Sequence, residues 1–415
     1  MMRKALVPAL ALCTALYGLH TIKPAAAAGF YIQEQSVSGL GSAFSGSATN
    51  LNDPSTIYFN PAGMTSLPGT QTQLGAHILL PNADLTDTGS GGLSAANTGD
   101  GGNPYDPTPI PNGYISHQLN GNTWIGLGVS APFGLASEYD DGWFGRFDST
   151  ETELTTIDIQ PTVAFKVNDQ LSVGLGVNVQ YADAKLENAV FGGTEGTATL
   201  EGDDWSYGYN LGLQYRPFDG TTFGASYRSA ISHELEGDIV IVNSTALDRN
   251  DSASADLDLP DVATFGLSQR LNDQWTLMGQ ASWFGWNNFE SIAPMPDTGA
   301  AIAPTVQNYQ TTWAFAAGAE YEYSDAWTFR GGVQFDETPT TDEYRTSRTP
   351  DGDRTWVSLG ATYTWNDRID LNMAATYIDI ADEQISLSRN GGLATVSADT
   401  EGHVGIVALG VNYKF

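Results

Sequence analysis

Any chemistry in this chain would have to come from few groups. Beyond residue 27 its histidines are His77, His117, His233 and His403, scattered over separate segments. Nucleophilic catalysis needs a serine or cysteine within bonding reach of a base. No Gly-x-Ser-x-Gly, His-Glu-x-x-His or phosphate-loop motif is present. A serine–histidine pair of the surface-phospholipase kind, built on His77 or His117, is the one enzymatic arrangement left open. Acid clusters from Asp251 to Asp261, at Asp351-Gly-Asp353 and at Asp203-Asp204 offer the oxygen ligands calcium prefers. Their spacing matches no EF-hand loop, so they read as solvated loop acid. The expectation is no enzyme, no catalytic residue, no metal site and no cofactor.

The elements that would position such groups are strands in a membrane. Arg3 and Lys4 precede an apolar run from about Ala5 to Leu19, and Ala25 to Ala28 supply small residues for cleavage. That order is a secretory signal, too short for the roughly 20 residues of a spanning helix. Cleavage is expected after Ala27, so residues 1–27 form the signal peptide. The single cysteine, Cys13, lies within it, which removes disulfides, thiol catalysis and zinc-thiolate sites from the mature chain. The signal carries Arg3, Lys4 and Lys23 and no acid. Lys+Arg therefore falls from 17 to 14 against 48 Asp+Glu, and the net charge moves from -31 to -34. A nucleic-acid partner is not expected. At an anionic lipopolysaccharide surface the acids belong in the lumen and loops, or are bridged by divalent cations.

Alternation with period two recurs along the mature chain. Leu171, Val173, Leu175, Val177, Val179 and Tyr181 share one face, opposite Ser172, Gly174, Gly176, Asn178 and Gln180. The segments opening at Trp205, Trp313 and Val357 repeat it, with aromatics near their ends as an interfacial girdle requires. Fourteen strands are predicted, beginning near residues 70, 111, 122, 153, 170, 204, 220, 254, 273, 308, 325, 352, 367 and 403. Tight turns at Asn120-Gly121, Asn168-Asp169, Pro217 to Gly220, Asn272-Asp273, Ser324-Asp325 and Asn366-Asp367 alternate with seven long polar connections, among them 188–203, 238–253 and 385–399. In lipid every backbone polar group must be paired internally, so such strands must close. The predicted fold is an all-β membrane protein, a 14-stranded antiparallel transmembrane barrel over 70–415 in the bacterial outer membrane. The final strand ends on Phe415, the aromatic terminus through which the barrel-assembly machinery would engage it.

Residues 28–69 break the pattern. Ser36 to Ala48 is rich in Gly and Ser, and Asn52 to Met64 is dense in turn formers. Phe30, Ile32, Leu40, Phe44, Ile57, Tyr58 and Phe59 favour a plug folded into the lumen over a disordered leader.

Ala28-Gly-Phe, then Ser38-Gly-Leu-Gly-Ser-Ala-Phe-Ser-Gly, then Asn60-Pro-Ala resemble the hatch of FadL/TodX-type outer-membrane transporters for long-chain fatty acids and aromatic hydrocarbons. Phe133-Gly-Leu-Ala-Ser-Glu-Tyr, the stretch Ser172 to Lys185, and Asp325-x-Trp-Thr-Phe-Arg-x-Gly with Phe335-Asp-Glu extend the likeness over essentially the whole mature chain.

The resemblance implies passive uptake of fatty acids, alkanes or aromatic hydrocarbons through an interior apolar pocket. It also implies lateral exit at an inward kink of the third strand, held by Asn60, Pro61 and Ala62 of the hatch. Here Pro132, Phe133 and Gly134 fall in the third strand, where a proline without an N–H and a glycine tolerant of bulges would break the ladder. Phe30 matches the family's hatch phenylalanine at the pocket. Fatty-acid members pair the carboxylate with cations in the Tyr-Ala-x-Ala-Lys region and before the tenth strand. In this chain the first region holds only Lys185, and Pro304 to Thr312 holds no Lys or Arg. A fatty acid, a neutral hydrocarbon and a differently placed clamp therefore all stay open. A monomer is expected. The alternative is a porin, or an adhesin or phage-receptor barrel without a hydrophobic substrate.

Overall fold

The computed structural model describes residues 29–96, 99–298 and 302–415. The signal-peptide expectation for 1–27 lies outside them. Fourteen strands follow: β1 Thr70–Asp87, β2 Thr108–Gln118, β3 in two pieces, Thr123–Ser130 and Gly134–Glu138, β4 Glu151–Lys166 and β5 Leu171–Phe191. β6 is Glu195–Phe218, β7 comprises Thr221–Arg228 and Ile231–Val242, β8 comprises Arg249–Leu259 and Val262–Arg270, and β9 is Trp275–Phe284. β10 Thr312–Ser324, β11 Trp327–Asp336, β12 Arg354–Asn366, β13 Ile369–Arg389 and β14 Ala394–Lys414 complete the set. Each pairs antiparallel with its sequence neighbours, and β1 with β14 over Gln71↔Lys414 to Asp87↔Ala398 closes the barrel.

Lipid-facing residues read straight from the alternation. Leu175, Val177, Tyr207, Leu211, Leu359 and Leu409 are exposed, while their strand neighbours point inward. Aromatics form two girdles. The lower holds the pairs Trp275–Tyr321 and Trp327–Tyr363, with ring centroids 4.6 and 4.8 Å apart. The upper holds Trp205, Tyr207, Trp313 and Phe315. About ten residues separate the girdles, which at roughly 3.3 Å per residue and a tilt near 40° spans the ~25 Å apolar band of an outer membrane. The six short turns lie where their turn formers put them. Asn120, Asn168, Asn272 and Asn366 each accept a backbone N–H two residues ahead.

Three connections expected to be loops are instead tall hairpins. β6 begins at Glu195 and β14 at Ala394, so 188–203 shrinks to 192–194 and 385–399 to 390–393; 238–253 shrinks to 243–248. Above the lipid neither face of a ribbon needs to be apolar, so these strand ends lose the alternation that marks the rest.

Residues 29–69 fold inside the barrel. They contain two single-turn helices, α1 Val37–Leu40 and α2 Thr56–Phe59, and a tight helical turn Pro61–Ser66. Backbone this irregular must find partners away from water, and inward amides of the wall supply them. Gln160 Nε2 donates to the Ile57 carbonyl at 2.6 Å and Asn210 Nδ2 to that of Tyr58 at 2.7 Å. Gln280 Oε1 accepts from Ala48 N at 3.0 Å. The close fit depends on inward glycines. A β-carbon on Gly41 of the hatch would lie 2.8 Å from the Gly360 Cα on β12, and Pro61 packs on Gly174 and Gly212.

Candidate functional site

The wall is broken at β3. Below the break, β2 and β3 pair from Gln118↔Trp124 up to Gly113↔Val129. Above it β2 residues 108–112 pair only with β1, and Gly134–Glu138 only with β4. On β4 the register steps from Ser130↔Asp158 to Gly134↔Thr155, four residues against three, which is a bulge of one residue. Proline drives it, since Pro132 has no N–H for the ladder.

Every backbone group freed by the bulge is claimed from inside. Gln35 Nε2 donates to the Ala131 carbonyl at 2.8 Å and Gln35 Oε1 accepts from Ala131 N at 3.3 Å. Ile32 N donates to the Pro132 carbonyl at 2.7 Å. The Thr156 hydroxyl accepts from Phe133 N at 2.9 Å and donates to the Phe133 carbonyl at 2.7 Å. Gly134 N donates to the Phe30 carbonyl at 2.9 Å. The first residues of the hatch thus act as the strand that β3 lacks.

The opposite lip is made by β2, which reads Thr108-Pro-Ile-Pro-Asn. A proline in a ladder must point its nitrogen away from the partner strand, so Pro109 and Pro111 turn theirs from β1 toward the breach. That edge therefore lacks two donors that would otherwise recruit β3 or water. Glu138 N donating to the Pro104 carbonyl at 2.8 Å closes the breach at its outer end.

Behind the break lies an apolar pocket. Phe30 is buried, with its ring 4.8 Å from Trp286, 5.2 Å from Phe289 and 6.2 Å from Phe133. Leu135, Leu154, Leu235 and Leu257 continue the same cluster. A slot of about 80 Å³ opens in it, lined by Phe30, Leu154, Leu186, Leu200, Leu257 and Phe289, with Arg348 at one end. Outside it, under the loops, a groove of about 1020 Å³ is lined by Ile239, Ile241, Leu247, Pro294, Val306 and Tyr344 among others. A separate polar vestibule of about 610 Å³ lies beneath the hatch, with Arg216, Arg270, Glu320 and Arg330 on its walls.

The sequence-derived candidates do not all meet here. Phe30, Phe133 and Gly134 share the pocket and break. Asn60, Pro61 and Ala62 sit elsewhere, against β5 and β6. Asn60 Nδ2 donates to the Ala48 carbonyl at 2.7 Å and the Leu213 carbonyl at 3.0 Å. The break is instead bonded to Phe30, Ile32 and Gln35, so the motif supports the hatch rather than touching the kink. Lys185 turns away from the slot, because Ala184 and Leu186 beside it are the lining residues. Its ammonium pairs with Glu151 at 2.6 Å. His77 is buried in the lumen against Asn112, and His117 bonds the Thr70 hydroxyl near a short turn. Neither is bonded to a serine hydroxyl among the described residues.

Gln35, Thr156, Trp286, Phe289 and Arg348 were not singled out from sequence. One signal was available for the last. Arg345, Arg348 and Arg354 fall within ten residues of a chain with only 17 Lys+Arg.

The comparisons agree with this geometry. Residues 19–415 match the family described as outer membrane protein transport protein (OMPP1/FadL/TodX). The long-chain fatty acid transport protein of Escherichia coli O6:H1 is 26% identical, with 94% of each chain covered. Outer membrane protein P1 of Haemophilus influenzae is 26% identical over 94% of this chain and 95% of that one. The crystal structure of a Pseudomonas aeruginosa FadL homologue superposes with a TM-score of 0.89 at 25% identity, over 94% of this chain and all of that one. The Ralstonia pickettii toluene transporter TbuX shares the fold, with a TM-score of 0.64 at 20% identity over 87% of this chain and 94% of that one. A closed fourteen-stranded barrel with an internal hatch, matched along nearly its whole length, places the chain in the OMPP1/FadL/TodX family of bacterial outer-membrane transport proteins.

Proposed function

We propose that the protein carries hydrophobic molecules passively through the outer membrane and releases them sideways into the bilayer at the β2–β3 breach. The observation that carries this reading is the pairing of Phe30 to Ile32 with 132–134, because it makes one segment both the floor of an apolar pocket and the inner seal of the wall. A solute entering from the groove meets Phe30, and displacing Phe30 strains the bonds that fill the breach. The proline lip then offers a hydrocarbon an edge with few groups to desolvate.

Magnitudes favour this route over an aqueous one. Each buried methylene contributes about 0.8 kcal/mol, so a ten-carbon chain gains several kcal/mol as it passes from the apolar groove through the slot and keeps them by leaving into lipid. The vestibule below the hatch is polar and would return the chain to water. In this reading Asn60, Pro61 and Ala62 hold the hatch against β5 and β6. Relatives named for long-chain fatty acid transport and for toluene transport mark the range of solutes.

The test is uptake by liposomes carrying the purified protein, offered an n-alkane, toluene, a long-chain fatty acid and a sugar. The reading predicts passage of at least one apolar solute and hardly any sugar. Sugar flux equal to apolar flux would overturn it in favour of a porin.

A further inference from the structure

The barrel is unlaced in a second place. β6 and β7 pair from Phe218↔Thr221 up to Asn210↔Arg228, and again from Asp203↔Glu236 to Thr197↔Val242. Between those ladders 204–209 and 229–235 share no strand pairing, which leaves a slit about 20 Å long at roughly 3.3 Å per residue. The ladders on either side are intact: β5 pairs with β6 from Ala182↔Asp204 to Val177↔Tyr209, and β7 with β8 from Ile231↔Leu259 to Leu235↔Ala255. Two facing interruptions cause the slit. β7 breaks at Ser229-Ala230 and β8 at Pro260-Asp261, opposite each other in register. Pro260 has no N–H for a ladder, so the two strands bend together there, and β7 parts from β6 before rejoining it at Glu236.

Side chains span the slit where the ladder does not. At its lower end Ser229 N donates to the Tyr209 carbonyl at 2.9 Å, and the Ser229 hydroxyl accepts from Tyr209 N at 3.0 Å. Further up, the Ser206 hydroxyl donates to the Ser232 carbonyl at 2.6 Å. His233 is buried, with one ring nitrogen 3.1 Å from an Asp204 oxygen on β6 and the other 3.1 Å from the Gln180 side-chain oxygen on β5. A bulge of one residue needs only a local interruption of the ladder. Forgoing several pairs in a bilayer, where unpaired backbone is costly, marks the slit as more than a bulge.

The slit lies between the apolar slot and the lipid. Ile231, His233 and Leu235 share the inner face of β7 and are buried, and Leu235 lines the slot within the cluster around Phe30. Trp205 and Tyr207 of the upper girdle are exposed on the outer face. Asp203, Glu234, Glu236 and Asp256 are exposed there too, and 197–209, 229–242 and 252–259 hold no Lys or Arg. Lys185 on β5, opposite Glu201, is taken by Glu151 at 2.6 Å. An anionic head is repelled from such a rim. We propose that the slit is a second lateral portal, through which uncharged hydrophobic molecules exchange between the slot and the outer leaflet, with the His233 ring as its latch. Opening it breaks the side-chain bonds of Ser206 and His233 and no strand pairing. The inference rests on the transport reading above and adds a route apart from the β2–β3 breach.

Photolabelling of the wild-type protein in native outer-membrane vesicles tests this, with diazirine analogues of 1-dodecanol and of dodecanoate as probes. The alcohol should mark Ile231 and His233, whose inward side chains report passage rather than label arriving from the lipid, as well as the lips of the β2–β3 breach. The carboxylate should mark those two residues several-fold less. The chain's only cysteine is Cys13, so Ser206→Cys with Ser232→Cys can be tied across the slit by a short, reducible bis-thiol reagent. The tie should abolish label at Ile231 and His233 and slow uptake of the alcohol, and reductant should restore both, which also shows that the variant is folded. Label at the breach but never at Ile231 or His233 overturns the portal and leaves the transport reading standing. Label at those residues that persists through the tie overturns it as well, and equal label from the carboxylate overturns the restriction to uncharged molecules. If neither the slit nor the breach is labelled, the transport reading falls and the portal falls with it.

Discussion

The Phe30 carbonyl accepts a 2.9 Å hydrogen bond from Gly134 N, while the Phe30 ring lies 6.2 Å from the ring of Phe133, the residue before that glycine. One hatch residue therefore touches the wall twice, by backbone at the breach and by side chain in the pocket. In the proposed route, a solute that displaces the residue as a whole, rather than only turning its ring about Cα–Cβ, would disturb both contacts together and so link occupancy of the pocket to opening of the wall.

Thr156→Val keeps the shape of the β4 side chain and removes both bonds to the Phe133 backbone. A buried donor or acceptor left without a partner costs about 1–3 kcal/mol. Amide exchange across 131–134 is expected to accelerate tenfold or more, with the rest of the barrel unchanged. Unaltered protection there would show that the bulge does not depend on this hydroxyl.

Replacing Pro109 and Pro111 with threonine returns two N–H groups to the β2 edge of the breach. They can recruit water or the edge of β3, and either makes the lip more polar. Apolar uptake into liposomes is expected to fall several-fold while the barrel still assembles. Uptake at the wild-type rate would remove the proline lip from the account.

The inward glycines are predicted to be as stringent as any core residue. Gly360→Val inserts a branched side chain where a single β-carbon on Gly41 already comes within 2.8 Å of the Gly360 Cα. Overpacking of this kind costs about 1–3 kcal/mol or more, and with no room to yield, the hatch should shift. Sugar leakage through reconstituted barrels is the measurement. A tight variant would mean that the hatch can move aside without opening the lumen.

These residues also mark what the sequence conceals. The alternation of Leu171 to Tyr181 and the Asn turns disclosed strand number, turn positions and lipid face, because a bilayer imposes one apolar face on every strand. Pro132 disclosed the break for the same reason, since a ladder cannot use it. Gln35 and Thr156 were silent, because a buried amide or hydroxyl resembles any other lumenal polar residue until its partner is known. Asn60 pointed to the hatch but not to its seat on β5 and β6, which only the tertiary fold defines. Lys185 misled through its neighbours: one step of alternation separates Ala184 and Leu186 in the slot from a lysine outside it.

The outer loops carry their own pH response. Burial opposes ionisation of Asp148, but Arg389, Arg348 and the bonds from Ser347 outweigh it and hold the carboxyl below its usual 3.8. A depressed acid stabilises the fold fully above its unfolded value, and that contribution disappears as pH falls through the folded value. The contact between 145–149 and 345–349 should therefore hold at pH 5 and loosen below about pH 4. Limited proteolysis in the loops with an acid-active protease should report it. Asp148→Asn should show the same loosening at neutral pH, and a variant as resistant as wild type would contradict the role assigned to this acid.

The exit route is the claim on which the rest depends, and a photoreactive alkyl probe caught in transit tests it most directly. With a diazirine near the chain end, the account predicts labelling of 104–113 and 131–138, the two lips of the breach. Labelling confined to Arg216, Arg270, Glu320 and Arg330 in the vestibule under the hatch would mean that the solute travels down the axis, and would contradict lateral release.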